Sequence, residues 1–298
     1  MKVRVIVNRG GGTLGEEGEE ERRIRAAFDA QGVDVDVRMT DPADIFEAFR
    51  DAAAAPGLDA VVAGGGDGTV SCAAGHLAGR GRPLGILPMG TLNHLARDAG
   101  IPADLEAAVA AIAGGRTRAI DVAEVNGRVF VNNSSVGLYP QMVRLREAQQ
   151  ERSGRSKRLA MLSASLASLR HFRRHRLWIS ASGLEAPVRT PLLFVGNNRY
   201  RVNLFALGRR ERLDEGVLCI YAIRANGRAH LFWAGIRGIF GRLDQQRDFV
   251  TAYVGEAEIS SDRPALTVSA DGETLLLETP LSYRIRPKAL TLIVPPER

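Results

Sequence analysis

The run Ala60-Val61-Val62-Ala63-Gly64-Gly65-Gly66-Asp67-Gly68-Thr69 sets four glycines around one carboxylate, where an apolar stretch gives way to a helical pattern. Without β-carbons in the way, backbone N–H groups can converge on a phosphate there, and the helix start adds a favourable dipole. One structural unit later, Leu87-Pro88-Met89-Gly90-Thr91-Leu92-Asn93-His94-Leu95-Ala96-Arg97 repeats the arrangement, with the Thr91 hydroxyl placed to cap a helix or reach an anion. Two phosphate-competent turns are more specific than one, because open α/β sheets bind ligands at the carboxyl ends of their strands. A third turn, Asn8-Arg9-Gly10-Gly11-Gly12-Thr13-Leu14-Gly15, carries the spacing Gly10-x-Gly12-x-x-Gly15, and Asp34 follows at the distance of a ribose-binding acid. Glu16, Glu17, Glu19, Glu20 and Glu21 come directly after it and would repel a pyrophosphate. This turn is therefore read as a flank that helps enclose a nucleotide held by the other two.

These turns need a sheet to carry them. Strands are expected at Val3–Val7, Val33–Met39, Ala60–Ala63 and Leu84–Leu87, with helices at Arg22–Gln31, Pro42 to about Ala54, and Thr69–Leu77. That alternation implies a parallel sheet covered on both faces, a Rossmann-like α/β lobe. Beyond Ile120 the pattern becomes strands and turns: Ala119–Val125, Arg128–Ser135, Leu177–Ala181, Pro191–Gly196, Val217–Ile223, Phe249–Ile259, Ala265–Ala270, Glu273–Leu277 and Leu290–Val294. Asn126-Gly127 marks a hairpin, and the whole reads as an antiparallel β-sandwich lobe. Leu159, Leu162, Leu166 and Leu169 mark an inserted helix within Lys157–Phe172. The expected division is an α/β nucleotide-binding domain over 1–120, a β-sandwich over 121–286, and a terminal strand at 287–298 returning to the first domain.

A chain of 298 residues suits two such domains, and 45% apolar with 25% charged residues is a globular composition. No apolar stretch reaches the roughly 20 residues of a membrane span, so a cytoplasmic, peripherally membrane-associated protein is expected. Cys72 and Cys219 lie in apolar runs and read as reduced core thiols, and Ser71 beside the first of them reads as packing. A net charge of +6 favours an anionic partner: nucleotide, nucleic acid or an acidic leaflet. The run Arg170-His171-Phe172-Arg173-Arg174-His175-Arg176-Leu177-Trp178 mixes cations with aromatics and suits either such a leaflet or a solvated helix end. His171 and His175 have helical metal spacing without an evident third ligand.

Val5-Ile6-Val7-Asn8, the Gly64–Thr69 box, Leu87-Pro88-x-Gly90-Thr91-x-Asn93, Asn132–Pro140, Gly196–Tyr200 and Asp271-Gly272-Glu273, in that order, resemble the diacylglycerol kinase catalytic family, which includes bacterial lipid kinases and sphingosine and ceramide kinases. The resemblance implies ATP and Mg2+ as cofactors and a lipid hydroxyl as phosphoryl acceptor. By it, Gly64, Gly65, Gly66, Asp67, Gly68, Thr69, Val70 and Thr91 would hold ATP phosphates, while Asn8, Arg9, Gly10, Gly11, Gly12 and Thr40 would border the nucleotide. Asp67 would organise magnesium through water. Glu273 would accept the proton of the lipid hydroxyl, with Asp271 close by. A structural metal site in some relatives maps onto the Arg212 carbonyl, the Glu215 carboxylate and the Val217 carbonyl; Glu215 stands where the family usually has Asp, and His94 likewise departs from an Asp. Two other functions remain open at this point: an NAD kinase, which shares the Gly-Gly-Asp-Gly-Thr loop, and a membrane-surface nucleotide or lipid binder that has lost its chemistry. No nucleic-acid partner is expected, a homodimer is left open, and no short motif identifies the acceptor lipid.

Overall fold

The computed structural model describes residues 1–11, 18–137, 175–182, 184–200, 210–223 and 249–296. The first lobe runs β1 (Lys2–Asn8), α1 (Glu19–Asp29), β2 (Asp34–Thr40), α2 (Ile45–Ala54), β3 (Ala60–Gly65), α3 (Asp67–Leu77), β4 (Leu84–Pro88), α4 (His94–Asp98) and α5 (Leu105–Ala113). Strands β2, β1, β3 and β4 lie side by side in parallel. Strand β3 is buried along its whole length, as a central strand covered on both faces must be. Ile24 and Phe28 of α1 and Phe49 of α2 are buried against this sheet, each worth about 1.5–3 kcal/mol of apolar transfer.

The chain continues through β5 (Thr117–Val125), β6 (Arg128–Phe130), β7 (Asn133–Gly137), β8 (His175–Ala181), β9 (Leu184–Thr190), β10 (Leu192–Asn197), β11 (Leu218–Ile223), β12 (Phe249–Val254), β13 (Glu256–Ser261), β14 (Ala265–Ala270), β15 (Glu273–Glu278) and β16 (Leu281–Ile293). One antiparallel sheet has the order β12-β11-β10-β7-β14-β15. It packs on the second half of the other sheet around Phe130, Val195, Ile220, Val268 and Tyr283, giving the sandwich that the strand pattern implies. Asn126 and Gly127 both have positive φ and join β5 to β6 as the expected two-residue hairpin turn.

Three expectations change. The stretch read as one strand over Arg128–Ser135 is two, β6 and β7, parted at Val131-Asn132, whose amides turn to a side chain described below. The stretch Phe249–Ile259 is likewise broken, at Gly255, into strands that belong to different sheets. The terminal strand does not begin near Leu290. It is the far half of the 13-residue β16, whose near half pairs with β13 and whose Leu292 pairs in parallel with Leu84 of β4, so a single sheet passes through both lobes. A bulge at Arg286–Leu290 re-aims the strand; Lys288 there has φ 52°, and its amide donates to the buried carboxylate of Asp121 at 2.7 Å. The helix read over 157–172 lies outside the described residues.

Candidate active site

The parallel register fixes where the glycine turns emerge. Thr40 pairs with Asn8, Val7 with Gly64, and Gly65 with Pro88, so the carboxyl ends of β2, β1, β3 and β4 form one continuous edge. Above it the two principal turns lie in contact. The Met89 amide donates to the Gly65 carbonyl at 3.1 Å, and a β-carbon on Gly90 would stand 2.5 Å from the Gly66 Cα. Only glycine permits that approach of backbone to backbone. Asn93, at φ 47°, folds its side chain over Gly90, accepting from its amide at 3.0 Å and donating to its carbonyl at 2.7 Å.

Asp67 links the turns a second time: its Oδ1 accepts from the His94 amide at 2.7 Å. Its Oδ2 has no protein partner among the described residues, and a carboxylate oxygen of that kind is chemically suited to a hydrated hard cation. Gly66 precedes α3 without a side-chain cap, which leaves the first amides of that helix for an anion. Thr69 is turned inward and accepts from Asn8 Nδ2 at 3.0 Å, so its side chain braces the turn; Val70 is core. Thr91 is exposed on the second turn.

The third turn is partly visible. Asn8 Oδ1 accepts from Gly10 at 3.0 Å, Gly10 packs on Pro42, Arg9 reaches Asp41 at 3.8 Å, and Gly11 closes a 3-10 turn, while Gly12 lies outside the described residues. Asp34 pairs with Lys2 at the amino ends of the strands, the opposite edge of the sheet from the glycine turns. The dinucleotide fingerprint therefore lacks its acid in place, and Thr40 stands at the relevant edge instead.

From the second lobe, the turn between β14 and β15 reaches this edge. Asp271 and Gly272 both have positive φ, and Glu273 Oε1 lies 3.9 Å from where a β-carbon of Gly68 would stand. Glu273 is exposed. Asp271 is placed differently. Its carboxylate turns inward and accepts from Ser71 Oγ (2.6 Å) and from the amides of Val131 (2.7 Å), Asn132 (2.8 Å) and Asn133 (3.0 Å). Burial raises its pKa, and these four donors oppose that rise. With its oxygens so engaged, Asp271 anchors the hairpin that carries Glu273.

Cys72, one turn further along α3, senses the same neighbourhood. Burial, and secondarily the charge of Glu273, pushes its thiol up to about 11, against a partial lowering by Arg128. At pH 8 the thiolate is therefore scarce, and alkylation by iodoacetamide is expected to be slower than at a free cysteine. In Glu273→Gln that rate should rise; an unchanged rate would place Glu273 away from α3.

The Arg212, Glu215 and Val217 set forms a loop closed by its own hydrogen bonds. Glu215 Oε2 accepts from the Arg199 amide at 2.9 Å, the Val217 carbonyl accepts from the Asn198 amide at 2.9 Å, and the Arg212 side chain pairs with Asp214 at 3.1 Å. Among the described residues no group of three His, Cys, Asp or Glu gathers as a metal site. The bonds of this loop engage the Arg212 side chain, one oxygen of Glu215 and the Val217 carbonyl, and no step below uses a cation there.

Ser71, which reads as packing in the sequence, is instead a partner of Asp271, and Asp98 and Arg210 join the site's surroundings without any motif to announce them. Ser71 lies on α3 directly after the first glycine turn, which is its available signal; Arg210 has none.

An α/β lobe with touching glycine turns, faced by a sandwich hairpin that delivers a carboxylate, defines the diacylglycerol kinase class of two-lobed fold. Residues 2–125 match the diacylglycerol kinase catalytic domain, and residues 141–294 match the YegS C-terminal NAD kinase beta sandwich-like domain. A protein of Pseudomonas fluorescens described as "Probable lipid kinase YegS-like" is 31% identical over 288 residues, covering 93% of this chain and 91% of that one. A Klebsiella pneumoniae protein of the same description is 38% identical over 130 residues, and that match spans 42% of this chain and 44% of the relative. The solved structure of a diacylglycerol kinase from Bacillus anthracis superposes with a TM-score of 0.71 at 21% identity, covering 99% of this chain and 97% of that one, a likeness of fold. The chain belongs to the YegS-like lipid kinase family.

Proposed function

We propose that the chain is an ATP-dependent lipid kinase that moves the γ-phosphoryl group onto a lipid hydroxyl. The observation that carries this reading is the position of Glu273, a carboxylate from the sandwich lobe held over Gly68 of the phosphate turn. Nucleotide phosphates would lie on the amides that open α3 and on Gly90 and Thr91, with Asn8 and Thr40 along the edge. The lipid oxygen attacks the γ-phosphorus as its bond to the bridging oxygen breaks, ADP leaves, and Glu273 takes the hydroxyl proton. Magnesium, when present with the nucleotide, supplies charge neutralisation, and the Oδ2 of Asp67 is the oxygen suited to hold it through water. Asp271 serves by fixing the hairpin.

Among the described residues no helix is long and apolar enough to cross a membrane. For contact with a leaflet the reading uses the β8–β9 hairpin, where exposed Arg176 and Arg189 stand directly opposite each other and half-exposed Trp178 faces Pro187. Like charges so paired repel one another, and an anionic surface relieves that cost. Residues 170–174 of the same basic run lie outside the described residues.

The test is incubation of the full chain with labelled ATP and magnesium, offering fractionated membrane lipids and NAD side by side. Label in a lipid product, identified by mass, is the expected result. Label in NAD, or in no acceptor, would overturn the reading.

A further inference from the structure

Arg210 and Asp98 form an ion pair of 2.7 Å with side chains 0% and 7% exposed, joining the sandwich to the last residue of α4. The guanidinium otherwise reaches mainly the segment between β6 and β7: Nη1 donates to the Val131 carbonyl at 2.5 Å and more weakly to the Asn197 carbonyl of β10 at 3.3 Å, and Nη2 donates to Asn132 Oδ1 at 2.8 Å. The Tyr200 ring lies 5.4 Å beneath the guanidinium, and its hydroxyl donates to the Asn132 carbonyl. Burial by itself would lower the pKa of Arg210, but the Asp98 carboxylate and its hydrogen bond oppose that, and the guanidinium stays protonated.

The contacts close into a ring. From Arg210 the path goes to Asp98, back along α4 to the His94 amide, across to Asp67, along α3 to Ser71, over to Asp271, and through the amides of residues 131–133 to Arg210 again. Both phosphate turns open helices in this ring, and Glu273 follows Asp271 by two residues. A buried ion pair is a poor source of net stability, since an apolar pair of similar volume often does as well. A planar fork addressing acceptors from two lobes does supply direction.

We propose that Arg210 and Asp98 are positioning residues for phosphoryl transfer, fixing the Glu273 hairpin at its working distance from the nucleotide turns. This rests on the kinase reading above. In the double variant Arg210→Met/Asp98→Asn, which leaves neither partner charged, kcat for lipid should fall about 10- to 100-fold with the KM for ATP within about twofold, as small displacements of a reacting group do. Hydrogen exchange at the amides of Val131, Asn132 and Asn133 should quicken at least about tenfold. Arg210→Lys, which keeps charge but not the fork, should recover part of the kcat, and it carries the same test if the double variant does not fold.

Unchanged kcat and unchanged exchange would overturn the proposal. So would a KM for ATP rising in step with the loss of kcat, which would mark general loosening. If the unaltered chain phosphorylates no lipid, the kinase reading fails by itself, and exchange at residues 131–133 still judges the ring.

Discussion

Glu273→Gln is expected to lower kcat for lipid phosphorylation by about 10²–10⁴-fold, the usual worth of a positioned proton acceptor. Glutamine keeps the size and hydrogen-bonding reach of the side chain and removes its basicity. Glu273 is exposed, and among the described residues its side chain makes no hydrogen bond, so the unfolding midpoint should stay within experimental error. Affinity for ATP should be retained or slightly raised, because a negative charge near the phosphates is lost. Steady-state kinetics together with calorimetric ATP binding separate these quantities. Full activity in the variant would remove Glu273 from the chemistry and leave the carboxylate over Gly68 without a role.

Gly90→Ala should act by another route, on ATP binding. The added β-carbon would meet the Gly66 Cα at 2.5 Å and Asn93 Oδ1 at 2.8 Å. Asn93 could swing aside, but the backbone of Gly66 cannot withdraw without moving the start of α3. Overpacking of this kind costs about 1–3 kcal/mol, and here the strain falls on the groups that would hold phosphate. ATP affinity is expected to fall at least about tenfold, with a smaller loss of stability, measured by calorimetry and by urea denaturation. Gly81→Ala, at a positive φ and with open space around its β-carbon, is the control: any loss of stability there should leave ATP affinity intact.

Much of this site is legible in the sequence because its parts are short and local. The boxes at Gly64–Thr69 and Leu87–Asn93 carry their own geometry, and the strand–helix alternation around them fixes which edge they share. Glu273 stands out through the family resemblance. The ties that bring the lobes together are not legible, since Ser71 and Asp271 are 200 residues apart and Asp98 and Arg210 are 112 apart, so that only the fold makes them neighbours. Local signals also mislead. The apolar residues across 128–135 read as one strand, whereas three amides of that segment bond one distant carboxylate and break it. The helix α5 does have a start signal, with Asp104 accepting from the Ala107 amide at 2.9 Å, but its alanine-rich face gives a weak apolar period. Strand β16 is half hidden because Pro287 and the bulge beside it look like an ending.

That strand limits how the molecule can be taken apart. Because β16 lies between β4 and β13, a chain cut anywhere before Leu281 loses an interior plank shared by both halves. The amino-terminal fragment would then bare the apolar flank of β4, an invitation to self-association. Neither half should be prepared alone as an autonomous unit, and a fusion partner or tag that tugs on the end of β16 would be felt through Leu292 at β4 and the glycine turn that follows it.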